Sequence, residues 1–85
     1  MANLQIAIIA KDKIVYKGEA EAVFVPTQTG IIEVLPEHAQ LVSALKAGDL
    51  IMKTSEGEKK LLISGGVLEV RQKSNVILLV DLVKE

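Results

Sequence analysis

The sequence predicts an all-β or mostly β domain, a sandwich or barrel of short strands. Three observations carry that expectation. Ile and Val supply 19 of the 85 residues and Leu another 11, and β-branched side chains suit a pleated sheet better than a helix. Phe and Tyr occur once each, so the core must be aliphatic. Turn-forming clusters recur at short spacing along the whole chain, the rhythm of a sandwich or barrel, and none of the links is long enough for a parallel crossover. The strands are therefore expected to pair as an antiparallel meander.

Leu4, Ile6 and Ile8 alternate with Gln5 and Ala7, the period of a strand with one buried face, so a first strand covers about residues 3 to 9. Lys11-Asp12-Lys13 is a polar turn. Ile14 to Tyr16 and Ala20 to Val25 read as strand, interrupted at Lys17-Gly18-Glu19, where Gly18 suggests a bulge or bend. Pro26-Thr27-Gln28-Thr29-Gly30 closes that segment, because proline has no N–H for a ladder and glycine tolerates positive φ. Ile31 to Val34 forms the next strand. Four further strand-like runs are punctuated by Lys46-Ala47-Gly48-Asp49, Ser55-Glu56-Gly57-Glu58, Ser64-Gly65-Gly66 and Lys73-Ser74-Asn75. The last runs from Val76 to Val83. One stretch reads two ways: His38, Leu41, Val42 and Leu45 fall at i, i+3, i+4 and i+7 behind Pro36, which fits a short helix as well as a strand.

A chain of this length makes one domain, residues 1–85, with a modest core. Ten Lys and Arg against 11 Asp and Glu leave a net charge of −1, with the two signs scattered, so no basic stripe exists to neutralise a row of phosphates and nucleic acid is not an expected partner. The absence of cysteine removes disulfides, thiolate metal sites and thiol catalysis together, and fits a reducing compartment. No apolar run approaches the ~20 residues that span a bilayer, and Met1-Ala2-Asn3 lacks the basic leader of a signal peptide. No direct membrane insertion is expected, and the cytoplasmic side is the default.

His38, the single histidine, is the first candidate for acid–base work because only its side chain titrates near neutrality by default. It has no nucleophile or recognisable metal-ligand spacing beside it, Glu33 and Glu37 being the nearest acids, so it reads as a loop or interface residue. Ser64-Gly65-Gly66 lacks the spacing of a phosphate-binding loop and is flanked by strand on both sides, so it reads as a tight turn or a close backbone approach. Met52-Lys53 faintly resembles the modified dipeptide of biotin carrier domains, small all-β modules of similar length. There the lysine sits at a hairpin tip, whereas Lys53 precedes the turn. Glu56, Glu58, Lys59 and Lys60 read as a solvated hairpin. Neither catalytic, cofactor-binding nor metal-binding residues are identified.

Three segments carry a family resemblance. Ile14 to Val23, with Lys17-Gly18-Glu19-Ala20 at its centre, Leu35-Pro36-Glu37-His38-Ala39-Gln40-Leu41, and Ser64-Gly65-Gly66-Val67-Leu68-Glu69-Val70 occur in the order found in the amino-terminal domain of the epsilon subunit of F-type ATP synthases, whose mitochondrial counterpart is called delta. The resemblance spans essentially the whole chain. It implies an all-β fold, a β-sandwich of two antiparallel sheets with about ten short strands and no substantial helix, and a non-catalytic central-stalk subunit, peripheral on the cytoplasmic face of the bacterial inner membrane, that joins gamma to the membrane ring and couples rotation to ATP synthesis. It implies a gamma-facing patch at His38, Ala39, Leu41, Val42 and Ser43, and a ring-facing edge at Thr29, Gly30, Ile31, Ile32 and Glu33. A small carrier or assembly module of the biotinyl or lipoyl kind is the alternative.

The chain departs from that family in four places. Ile31 stands where an acidic residue is common, Glu33 and Glu37 where glycine is common, and Gln40 where proline is common. A charged contact to basic ring loops would then fall to Glu33 or Glu37. Many family members continue into two carboxy-terminal helices that can inhibit ATP hydrolysis, and in some relatives that portion binds ATP. The sequence ends before them, so neither helical inhibition nor a nucleotide site is expected of this polypeptide.

Overall fold

A computed structural model describes residues 3–82. Seven strands follow in chain order: β1 (Leu4–Ala10), β2 (Lys13–Ala20), β3 (Ala22–Thr27), β4 (Gly30–Val34), β5 (Leu41–Thr54), β6 (Gly57–Arg71) and β7 (Asn75–Leu82). The described residues contain no helix. The all-β class therefore holds, while the expected ten strands become seven and the two sheets one continuous sheet of order β2-β1-β7-β6-β5-β3-β4. The expected end of the last strand at Val83 lies outside the described residues.

The difference in count has a local cause. Two of the four punctuating clusters, Lys46 to Asp49 and Ser64 to Gly66, bend strands without ending them. β5 and β6 form one hairpin that keeps a constant register from Leu41↔Val70 to Thr54↔Gly57. Its tip is Ser55-Glu56, held by Thr54 Oγ1, which donates to the Gly57 carbonyl at 2.8 Å and accepts the Glu56 N–H at 3.2 Å. Opposite Pro26 the ladder between β3 and β5 is broken, its register shifting between Phe24↔Ile51 and Thr27↔Leu45. Proline offers no N–H to that ladder, and β5 arches over it at Gly48, where a Cβ would come within 3.1 Å of the Pro26 ring.

Two further expectations are corrected. The interruption near Gly18 is absent: β2 runs through it, and the chain turns at Glu21, whose N–H reaches across to the Lys53 carbonyl at 2.7 Å. The irregularity in the β1–β2 pair lies at Ile8/Ile9. The pairing is also not wholly antiparallel, since β1 runs parallel to β7. Short links forbid parallel pairing only between consecutive strands; here five intervening strands make the return.

The sheet folds over on itself. Seven strands laid flat would make a slab about 10 Å thick, but the smallest extent of the molecule is 22 Å, and β2 comes into contact with β5, four places away. One aliphatic cluster fills the space, from Leu4, Ile6 and Ile8 of β1 through Val23 and Val34 to Leu50, Met52, Ile63, Leu68 and Leu78. The long strands β5 and β6 serve both layers, which is how a single sheet becomes a sandwich.

Candidate interaction surface

Between β4 and β5 the chain leaves every ladder. Leu35, Pro36, Glu37 and His38 make a tight turn closed by the His38 N–H donating to the Leu35 carbonyl at 3.1 Å. Proline sits at its second position and Glu37 at its third with φ of 66°, the type II arrangement in which the third position favours glycine. His38 is half-buried, and its Nδ1 donates to the Ala39 carbonyl at 2.7 Å. That local bond gives the imidazole a place at the surface and no catalytic partner. Among the described residues, no three His, Cys, Asp or Glu side chains gather as a metal site.

The left-handed backbone at Glu37 is a cost that its exposed side chain does nothing to repay. Glu37→Gly is expected to raise stability by about 0.5–1 kcal/mol, the steric relief outweighing the added chain entropy. The urea midpoint checks it: a lower midpoint for the variant would contradict the turn assignment.

Of the residues expected to face gamma, the structure does not set all five on one face. His38 and Ala39 lie in the loop. Val42 points outward and is 72% exposed, whereas Leu41 packs against the core and Ser43, like its partner Leu68, belongs to the inner face. Of the residues expected to face the ring, Thr29 lies in the two-residue turn between β3 and β4, and Gly30 to Glu33 lie on β4, an edge strand. Ile31, 76% exposed, and Glu33 project to one side, while Ile32 packs inward. Gln28 ties that turn to mid-β5, its N–H and Nε2 donating to the carbonyls of Ala44 and Leu45 at 3.2 and 3.3 Å.

Sequence reasoning missed what lies beside Val42. Cross-strand partners line up as Ala44↔Val67, Val67↔Leu79, Leu79↔Ile9 and Ile9↔Ile14, so an apolar row crosses the outer face of five adjacent strands. At ~4.8 Å per strand it is about 19 Å long. Val67, Leu79 and Ile14 are exposed large hydrophobic side chains. The next row, Val42, Glu69, Ile77, Ala7 and Lys17, mixes apolar and charged groups. Arg71 reaches Glu69 with Nε–Oε2 of 3.0 Å, and that carboxylate raises the guanidinium pKa. A hollow of about 490 Å³ opens over Ala7, Ile77 and Gly18 between Lys17, Glu19 and Arg71. Hydrogen bonds from Asn3 and then Gln5 hold the Glu19 carboxyl below its ordinary pKa. The legible signal was the run Val76-Ile77-Leu78-Leu79-Val80, apolar on both faces where an antiparallel strand with one wet face would alternate.

Lys53 is on β5 just before the Thr54–Gly57 turn, with its ammonium 5.2 Å from the centre of the Phe24 ring. A carrier lysine would occupy the tip, which Ser55 and Glu56 hold instead. Ser64, Gly65 and Gly66 do not form a turn; they lie inside β6, where Gly66 brings its backbone against that of β7.

Comparison with known proteins adds a family context. The model of the ATP synthase delta/epsilon-chain beta-sandwich domain matches residues 3–85. Proteins named ATP synthase epsilon chain are similar: that of Endomicrobium trichonymphae is 37% identical over 70 residues, covering 82% of this chain and 51% of the relative. That of Leptospira interrogans is 39% identical over 76 residues, covering 89% and 60%, and that of Dehalococcoides mccartyi 40% over 78, covering 92% and 56%. The chain thus spans little more than half the length of these relatives. A chain of the Euglena gracilis mitochondrial ATP synthase shares the fold at a TM-score of 0.88 and 23% identity, covering 94% of this chain and 51% of that one. A chain in the central stalk and c-ring structure of the Tetrahymena thermophila enzyme does so at 0.79 and 12%, covering 92% and 63%.

Proposed function

The chain belongs to the ATP synthase delta/epsilon-chain beta-sandwich family, and from that premise we propose that it is a non-catalytic central-stalk subunit of a rotary ATP synthase, joining gamma to the membrane ring. It sits peripherally, on the cytoplasmic face of the bacterial inner membrane. No helix among the described residues is long and apolar enough to cross a membrane; in this reading the attachment runs through the gamma and ring subunits.

The observation that carries the reading is the outward apolar row that begins beside Val42 and crosses β5, β6, β7, β1 and β2. A torque-bearing clamp needs a stiff body and a broad surface that does not slip. One aliphatic core shared by both layers provides the stiffness, and the row provides the surface that gamma would cover. Val42 stands in the neighbouring row on β5, and His38 and Ala39 lie in the loop that leads into that strand. Leu41 and Ser43 support it from within, a narrower role than the sequence pattern suggested. Purified chain mixed with purified gamma should co-elute as one complex in size-exclusion chromatography; separate elution would count against the reading.

The ring-facing edge is then the turn at Thr29 and Gly30 with Ile31 and Glu33 on the outward side of β4, and Ile32 beneath. With Ile31 apolar, acidic contact to the ring falls to Glu33 and Glu37. Replacing both with glutamine is expected to weaken co-purification with the ring about tenfold, as loss of two charged interface contacts would. Undiminished recovery of ring subunits with the double variant would refute that assignment.

A further inference from the structure

The loop that carries His38 and Ala39 has few bonds of its own. From Leu35 to Gln40 no residue joins a ladder, and besides the turn bond between His38 and Leu35 one main-chain bond ties it to the body: the Glu37 N–H donates to Ser74 Oγ at 2.8 Å. Ser74 is itself built in. It is only 7% exposed, lies in the left-handed region with φ of 60°, and its carbonyl accepts the Gln5 N–H at 2.9 Å. One buried serine, 37 residues away in sequence, therefore links the loop, the β6–β7 turn and the start of β1.

We propose that Ser74 is the positioning residue of the partner-facing loop, its hydroxyl fixing the Pro36-Glu37-His38 turn in the orientation that presents His38, Ala39 and Val42 together. The proposal rests on the gamma-facing reading for its consequence, but not for its structural content. A buried hydrogen-bonded hydroxyl is well suited to the task, because the amide it satisfies belongs to a segment with no strand neighbour to satisfy it otherwise. The left-handed backbone at Ser74 aims the side chain toward the loop, where an extended residue would carry it along the strand.

The test uses the full chain with Ser74→Ala, which removes only the hydroxyl, and Ser74→Gly as a second variant, which removes the whole side chain but suits the positive φ. Amide hydrogen exchange at Glu37 should accelerate at least about tenfold in both, while exchange at Val23 and Leu78 in the core stays as in the unsubstituted chain, and the His38 ring resonances should shift. Affinity for purified gamma should fall about fivefold to tenfold. Unchanged exchange at Glu37 overturns the proposal, as does accelerated exchange with undiminished gamma affinity. Failure of the unsubstituted chain to bind gamma would instead strike the functional reading, and the exchange comparison would still decide whether Ser74 holds the loop.

Discussion

Gly66→Ala is expected to remove most of the stability of the domain, by about 3 kcal/mol or more. Gly66 has φ of 147°, and a Cβ there would collide with the Leu79 carbonyl, lie 2.9 Å from Val80 Cα and 3.1 Å from the Leu79 carbonyl carbon. These are backbone atoms of the neighbouring strand, so no side chain can rotate away. The β6–β7 ladder would have to open where its register already shifts, between Ile63 and Gly65, and the strain adds to a backbone conformation that L-residues resist. A domain this small starts near the low end of the ~5–15 kcal/mol range. Gly65→Ala supplies the contrast, because a Cβ there would meet only the Leu45 carbonyl at an ordinary 3.7 Å; it should cost less than about 1 kcal/mol. Urea unfolding of the pair checks this, and near-equal midpoints would contradict it.

Val42→Asp combined with Leu79→Asp is expected to abolish binding to gamma, weakening it at least about a hundredfold, while the domain stays folded. Each side chain points outward and is exposed in the isolated chain, so an acid there costs little beyond strand propensity, ~1 kcal/mol. Buried beneath a partner, an unpaired carboxylate is severely penalised, and loss of a central apolar contact is worth ~2–4 kcal/mol. Lys59→Asp on the solvated hairpin is the control and should leave binding unchanged. Titration calorimetry with gamma reads the effect; full affinity in the double variant would move the interface elsewhere.

Much of this was legible in the chain itself. Alternation of Leu4, Ile6 and Ile8 announced both the first strand and its buried face, and Lys11-Asp12-Lys13 announced the turn, which narrows to Lys11 and Asp12, both with positive φ, because Lys13 already opens β2. The central ambiguity fell on the extended side because Leu41 to Leu45 pair with β6 along their length, a long-range gain that local helical spacing cannot register. Bends misread as turns had a common origin: Gly48 and Gly66 signal unusual backbone, but whether a strand ends there depends on the partner strand, which is distant in sequence. The parallel β1–β7 pair was invisible for the same reason. At the candidate surface, loop residues were legible from Pro36 and His38. The apolar row was not, since Ala44, Val67, Leu79, Ile9 and Ile14 meet only through cross-strand register, and Ser74 gave no sign that its hydroxyl would reach Glu37. Glu37 carries the opposite lesson: its positive φ is a backbone that favours glycine, the residue that the resemblance led one to expect there.

The central claim, that this chain is a stalk component clamping gamma to the ring, is tested most directly by affinity capture of the tagged chain from detergent-solubilised membranes, with identification of the bound subunits. Recovery of gamma together with ring and catalytic subunits, lost with Val42→Asp/Leu79→Asp, is the predicted result. Recovery of biotin-dependent or acyl-transfer enzymes in their place, or of no ATP synthase subunit at all, would contradict it.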